Sequence, residues 1–133
     1  MPKISISTPA YNCEKYLEEA VNSVLSQTWQ DWELLIIDDC SRDNTYVCMQ
    51  EIAKQDQRIR IFQNSRNLGA AGTRNFGIRQ AKGQWIAFLD SDDLWHPEKL
   101  AKQMAVTKRE PEAKFLFTGS AFIEDDGMTI AHV

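Results

Sequence analysis

The chain alternates between two periods of apolar residues. Residues 3–8 run Lys, Ile, Ser, Ile, Ser, Thr with period two, which predicts a short strand that Pro9, unable to donate to a ladder, is expected to stop. Residues 9–12 read as a turn with Asn12 as N-cap. From residue 13 to about residue 27 the apolar positions Leu17, Val21, Val24 and Leu25 take helical spacing, with Glu14, Glu18 and Glu19 toward the favourable N-terminal end. Residues 32–37 form a continuous apolar run, the mark of a strand buried on both faces of a parallel sheet, and end in Asp38 and Asp39. A polar loop follows, with Asp43 or Asn44 capping a helix over about residues 45–55 that is expected to pack through Val47, Ile52 and Ala53, with Cys48 beside them. Residues 58–62 predict a third strand near a sheet edge.

Residues 64–77 read as a small-residue loop running into a helix that reaches about residue 82, with Gly83 as its C-terminal signal. A fourth strand over residues 84–89 breaks off in Asp90, Ser91, Asp92 and Asp93. His96, Pro97 and Glu98 open a helix with apolar positions Leu100, Met104 and Thr107, which Pro111 ends. Residues 114–119 predict a fifth strand that residues 121–123 extend, and Asp126 with Gly127 is a hairpin-type turn before residues 128–133.

Strands alternating with helices predict an α/β fold, a mostly parallel sheet with right-handed crossovers and helices on both faces. All C-terminal strand ends then share one edge. With strand order near 3-2-1-4, Thr8 and Pro9, Asp38 and Asp39, and Asp90, Ser91 and Asp92 meet at the crevice where such sheets bind ligands.

Composition narrows the class without changing the fold. The 133 residues suit one domain, 1–133. A net charge of −4 argues against nucleic acid as partner. No apolar run approaches the roughly 20 residues of a membrane helix, and no signal-peptide pattern opens the chain. The three cysteines, Cys13, Cys40 and Cys48, lack metal-site or disulfide spacing and read as buried hydrophobes in a reducing, cytoplasmic setting.

The acidic end of the fourth strand carries the candidate chemistry. Clustered carboxylates repel one another, and Asp90, Asp92 and Asp93 suit a hard divalent cation, magnesium or manganese, that completes its shell with water and substrate phosphates. The alternative is a solvated acidic loop capping the next helix. Gly69 to Gly72 either let backbone approach a phosphate or serve helix–sheet packing. Arg74 either meets a phosphate oxygen or pairs with Asp92 or Asp43. Asp38 and Asp39 either accept hydrogen bonds from a base or ribose or cap their loop.

Four stretches in order resemble the family 2 glycosyltransferases of GT-A fold. They are residues 7–12 (Ser, Thr, Pro, Ala, Tyr, Asn), residues 37–45 (Ile, Asp, Asp, Cys, Ser, Arg, Asp, Asn, Thr), residues 67–69 with 74–78, and residues 88–95 (Phe, Leu, Asp, Ser, Asp, Asp, Leu, Trp). The resemblance implies a Rossmann-like three-layer sandwich, truncated at its C-terminal side. It implies a nucleotide-sugar donor, most often uridine-linked, a divalent cation (Mn2+ or Mg2+), and transfer with inversion to a saccharide or lipid-linked acceptor hydroxyl in cell-surface polysaccharide synthesis. Carried over by position, Thr8, Pro9 and Tyr11 line the nucleotide pocket, and Asp39 contacts the base with Asp38 beside it. Asn67, Gly69 and Arg74 shape the base and phosphate side. Asp90 and Asp92 match the DxD motif, Asp90 toward ribose and metal and Asp92 on the metal, with Asp93 secondary. Trp95 is expected to be a packing residue.

Two departures stand out. The position after Asp39, often glycine in the family, is Cys40, read as a small-residue change. The family's catalytic base lies beyond the region these residues match, and Glu124, Asp125 and Asp126 lack its context; the base is expected past Val133. The competing function is therefore a nucleotide-binding module without transfer activity. A receiver-like signalling domain ranks lower because its acid pair follows the first strand, and a nucleotidyltransferase lacks its glycine-rich signature here. Phe115, Phe117 and Phe122 are expected to leave apolar surface open to self-association, and peripheral membrane association is compatible with the acceptor class.

Overall fold

The structure, a computed structural model, describes residues 1–125 and 129–132, with side chains described as far as residue 125. The chain divides into two compact units, Met1–Ala101 and Lys102–Val133.

The first unit holds four parallel strands in the order β3-β2-β1-β4, the order expected. They are β1 (Ile4–Ala10), β2 (Trp32–Asp38), β3 (Ile59–Gln63) and β4 (Trp85–Phe88), connected by α1 (Leu17–Leu25), α2 (Thr45–Ala53) and α3 (Gly69–Gln80). Every residue of β2 is buried, as its apolar run predicted. Connectivity decides the layers. The chain steps from β1 to β2 to β3 in one direction, so right-handed crossovers put α1 and α2 on one face. It then reverses from β3 across β2 and β1 to β4, which carries α3 over the other face, where it packs on β1 and β2. The reversal leaves the switch point between β1 and β4.

Two glycines permit the close approach of α3. A Cβ on Gly77 would lie within contact-breaking distance of Ser7 Oγ, and one on Gly83 would sit 2.6 Å from Ser5 N. Gly83 is thus a packing glycine, not a helix stop; α3 ends at Ala81 in extended conformation. Beneath that junction, Glu33 accepts from Ser5 Oγ (2.6 Å), Lys82 N (2.7 Å) and Arg60 Nη1 (3.1 Å). Burial alone raises the Glu33 pKa, and these donors bring it below the ordinary value.

Several local expectations change. β1 does not stop at Pro9 but runs to Ala10, with Pro9 beside Ile37 of β2. Alternate residues of β1 bond to alternate neighbours: Ala10 O accepts from Asp39 N on one side and Ser7 O from Leu89 N on the other. The bonding side of Pro9 therefore faces β4 beyond Phe88, its last paired residue, so the missing N–H costs no ladder bond. Asn12 caps no helix; residues 13–16 form a turn and α1 begins at Leu17. α2 packs through Thr45, Met49 and Ile52, while Val47 is exposed, so its predicted face was rotated. Asp43 meets the N-terminus of α2 by accepting from Thr45 N (2.9 Å) and Oγ1 (2.6 Å).

α4 (Lys99–Arg109) starts later than Pro97 and buries Leu100 and Met104 as predicted. In the second unit, residues 114–119 form no strand; Phe115 and Phe117 are 89% and 94% exposed. β5 (Ala121–Ile123) pairs antiparallel with β6 (Thr129–His132), and the predicted Asp126–Gly127 turn lies outside the described residues. Among the described residues no helix is long and apolar enough to cross a membrane.

Candidate functional site

A cleft of about 530 Å3 opens at the carboxyl edge of the first unit's sheet, at the switch point. Of the residues singled out in the sequence, Pro9, Tyr11, Asp39, Asn67, Gly69, Arg74, Asp90 and Asp92 line it. Thr8 and Asp38 do not. Both are buried within the sheet layer. Thr8 is buried with its hydroxyl unpartnered, and Asp38 is fully buried, accepting from Gln63 Nε2 (3.1 Å) and Ser41 N (3.3 Å). Asp38 thereby performs the loop-capping role that was its alternative.

Asp39 sits 3% exposed on the cleft floor. Its carboxylate accepts from Leu68 N (2.7 Å), Gly69 N (2.9 Å) and Asn64 Nδ2 (3.0 Å), and Asn64 also donates to Thr73 Oγ1 (3.1 Å). Burial by itself raises this carboxyl's pKa; the donors, backbone Leu68 foremost, outweigh it and hold the pKa below the ordinary value. Leu68 and Gly69 are the N-cap and first residue of α3, so Asp39 supplies the anion that a helix N-terminus favours. Gly69 takes a left-handed φ of +78°, which glycine alone adopts without cost. Residues 69–72 are the first turn of this helix rather than a loop.

The acids after β4 behave differently. Asp92 is exposed, and Asp90 forms an ion pair with Arg74 at 2.6 Å, both ends half-open to solvent. Asp90, not Asp92 or Asp43, is therefore the partner of Arg74. Partial desolvation, then the charges of Asp92 and Asp90, push the Asp93 pKa up. The loop's far end is tied down by α4 and its approach, where Lys99 Nζ stands 4.7 Å from the Trp95 ring centre.

The Glycosyl transferase family 2 model matches residues 5–127. The chain belongs to this family. It is 43% identical over 126 residues to the putative teichuronic acid biosynthesis glycosyltransferase TuaG of Bacillus subtilis (strain 168), covering 95% of this chain and 50% of TuaG. It is 45% identical over 103 residues to the UDP-Glc:alpha-D-GlcNAc-diphosphoundecaprenol beta-1,3-glucosyltransferase WfgD of Escherichia coli, covering 77% of this chain and 40% of WfgD. The chain spans about half the length of these relatives or less. Among solved structures, S. aureus TarS 1-349 in complex with UDP-GlcNAc superposes with a TM-score of 0.76 at 32% identity, over 82% of this chain and 32% of that one. The fold is accordingly the GT-A fold.

Family membership gives Cys40 a meaning its size does not. Its φ is +65°, a left-handed conformation that disfavours any side chain, so a glycine there relieves strain. Sequence reasoning missed Ala10, Asn12, Cys13, Tyr16 and Thr73 as lining residues, whereas Ala70 and Ser91, which also line the cleft, fall in stretches it had singled out. Asn12 had a findable signal: asparagine tolerates its φ of +47°, and it knits two cleft loops by donating its N–H to Ser41 Oγ and accepting from Arg42 N, both at 2.9 Å. Cys13 had none. It donates its backbone N–H to Thr45 Oγ1 at 2.9 Å, and burial pushes its thiol pKa up, which marks it as inert.

Among the described residues no three His, Cys, Asp or Glu side chains gather into a ready-made metal cage. The donor set still fits a hard divalent cation of the kind that keeps its waters and takes one or two carboxylates plus substrate phosphates. Asp92 and Asp90 stand on the cleft wall, their charges raise a neighbouring acid, and Arg74 adds a cationic contact for phosphate oxygen.

Proposed function

We propose that this chain forms the donor-binding part of an inverting glycosyltransferase that moves a sugar from a UDP-linked donor to an acceptor hydroxyl in cell-surface polysaccharide synthesis. The observation that carries the reading is the convergence of Pro9, Tyr11, Asp39, Arg74, Asp90 and Asp92 on one cleft at the switch point. TuaG and WfgD, named for teichuronic acid biosynthesis and for a diphosphoundecaprenol-linked acceptor, support a saccharide or lipid-linked acceptor. TarS, solved with UDP and with UDP-GlcNAc, supports uracil as the base.

In this reading Tyr11 and Pro9 flank the nucleotide and Asp39 presents its remaining acceptor capacity to the base. Asn67, whose Nδ2 holds Asp39 O at 3.3 Å, and Gly69 shape the same wall. Asp38 acts from behind by tying the end of β2 to Ser41 and Gln63, and Thr8 contributes only by packing. Arg74 exchanges its pairing with Asp90 for the donor's phosphates, and Asp90 and Asp92 are the residues that would hold a divalent cation. That cation, when bound, supplies Lewis-acid stabilisation of the departing nucleoside diphosphate. Deprotonation of the acceptor needs a base. The cleft carboxylates Asp39, Asp90 and Asp92 are all engaged in binding, which favours a second reading of these residues as a nucleotide-binding module that does not itself complete transfer.

Calorimetric titration of UDP and GDP with and without Mn2+ tests the proposal. UDP binding that strengthens with Mn2+ and exceeds GDP binding is expected; binding indifferent to both base and cation would overturn it.

A further inference from the structure

We propose that Gln27, just past the end of α1, is the positioning residue that keeps the acidic loop in place on the cleft. The inference rests on the donor-site reading above. Gln27 is 1% exposed, and its side-chain amide is fully used. Nε2 donates to Ser23 O at 3.0 Å and to His96 O at 2.8 Å, and Oε1 accepts from Leu100 N at 3.1 Å. The next residue continues the grip, Thr28 N donating to Pro97 O at 2.9 Å. A buried amide costs free energy unless every donor and acceptor is met, and an apolar side chain would fill the same space without that demand. What the amide does, and leucine or methionine cannot, is hold the backbone of residues 96–100.

Those residues are one end of a span. The other end is fixed by the sheet, where Leu89 is buried and its N–H donates to Ser7 O at 3.2 Å. Between the two anchors the chain turns once, Asp93 N donating to Asp90 O at 3.1 Å, and presents Asp90, Ser91 and Asp92 to the cleft. Asp92 is exposed, so its place is set largely by how firmly the ends are held. A binding constellation tolerates only about 0.5 Å of misplacement, so freeing one anchor loosens the diphosphate and cation end of the cleft. The base end is built from Asp39, Asn64 and the start of α3, which Gln27 does not touch.

The test compares the wild-type chain with Gln27→Met, which keeps length and loses the amide, and Gln27→Glu, which keeps the acceptor for Leu100 and loses the donor. UDP in Mn2+ and uridine, which has no diphosphate, are titrated into each, and amide hydrogen exchange is followed at Leu89, Asp93 and Leu100. Gln27→Met is expected to weaken Mn2+-dependent UDP binding about tenfold or more, the usual effect of losing an outer support of a metal ligand, with uridine binding unchanged. Exchange should accelerate at Leu100 and Asp93 and stay slow in β1 and β2, and Gln27→Glu should fall between. Equal losses for UDP and uridine would reduce Gln27 to a general structural role and overturn the proposal, as would unchanged exchange at Asp93. Should the wild-type chain bind no UDP at all, the donor-site reading fails. The exchange at Asp93 then decides the anchor by itself, acceleration supporting it and constancy overturning it. If Gln27→Met does not fold, Gln27→Glu carries the same comparison.

Discussion

Two strand ends, separated by β1, carry acids on the same sheet edge, and the fold treats them in opposite ways. After β2, Asp38 and Asp39 are buried and each held by more than one donor, so most of their charge organises protein. After β4, Asp92 and Asp93 stand exposed, and Asp90 meets one solvent-facing arginine, so their charge is directed outward. The residue type is the same; the supply of backbone donors differs. The N-terminus of α3 and the side chain of Asn64 arrive against Asp39, whereas the loop after β4 must reach residue 99 before α4 begins. An acid pair at a strand end therefore does not declare its role until its donors are known.

The sharpest way to break this contrast is to exchange charge for amide at each end. Asp39→Asn leaves one of the N–H groups of Leu68 and Gly69 facing a donor, and should cost about 2–4 kcal/mol of stability in urea unfolding, the range for stranding buried charge-assisted partners. The loss should depend on pH. The folded-state pKa of Asp39 is depressed, so its stabilisation is fully present above the unfolded carboxyl value and disappears as pH falls through the folded value. An acid titration of unfolding should accordingly be shallower in Asp39→Asn than in wild type. If the two curves share a slope, Asp39 is not the buried anchor described.

Asp92→Asn should do the reverse. Stability should stay within about 0.5 kcal/mol, as for other surface changes, while Mn2+-dependent UDP affinity falls by more than the roughly tenfold or greater loss that removing an outer support of a metal ligand brings. Calorimetry alongside denaturation checks both halves, and a destabilised variant with intact binding would reverse the assignment of the two strand ends.

Smaller effects sharpen the picture. Cys40→Gly relieves a left-handed φ of +65° and should gain up to about 1 kcal/mol in thermal unfolding, offset in part by the entropy glycine adds to the unfolded chain. Asp93→Asn should be stabilising at pH 7 by a few tenths of a kcal/mol, discounted for exposure. Its folded pKa is raised, so the native state loses stability as pH rises from the unfolded value through the folded one, and removing the charge removes that loss. A destabilised Asp93→Asn would show that the acids after β4 are held by donors after all.

Much of this was legible in the sequence. The apolar run of β2, the period-two start of β1 and the alternation of strands with helices determined a parallel α/β sheet, because burial demands follow directly from side-chain pattern. That the strand ends share an edge followed from the parallel arrangement alone, and eight of the ten candidate site residues stand on one cleft. Only the tertiary structure decided which acid faces which way. Thr8 and Asp38 were lost to burial, Asp38 being drawn to Gln63 and Ser41, partners that only the assembled sheet edge supplies. The strand expected at residues 114–119 fared similarly: local propensity was adequate, but a strand needs a neighbour to satisfy its backbone, and among the described residues these have no ladder partner. Gln27 looked like the tail of a helix and became a buried clamp, because its partners lie about seventy residues away and no local pattern announces a long-range hydrogen bond. Side-chain pattern thus determined the layers and the edge; the arrival of distant donors decided which polar groups became structure and which were left for a ligand.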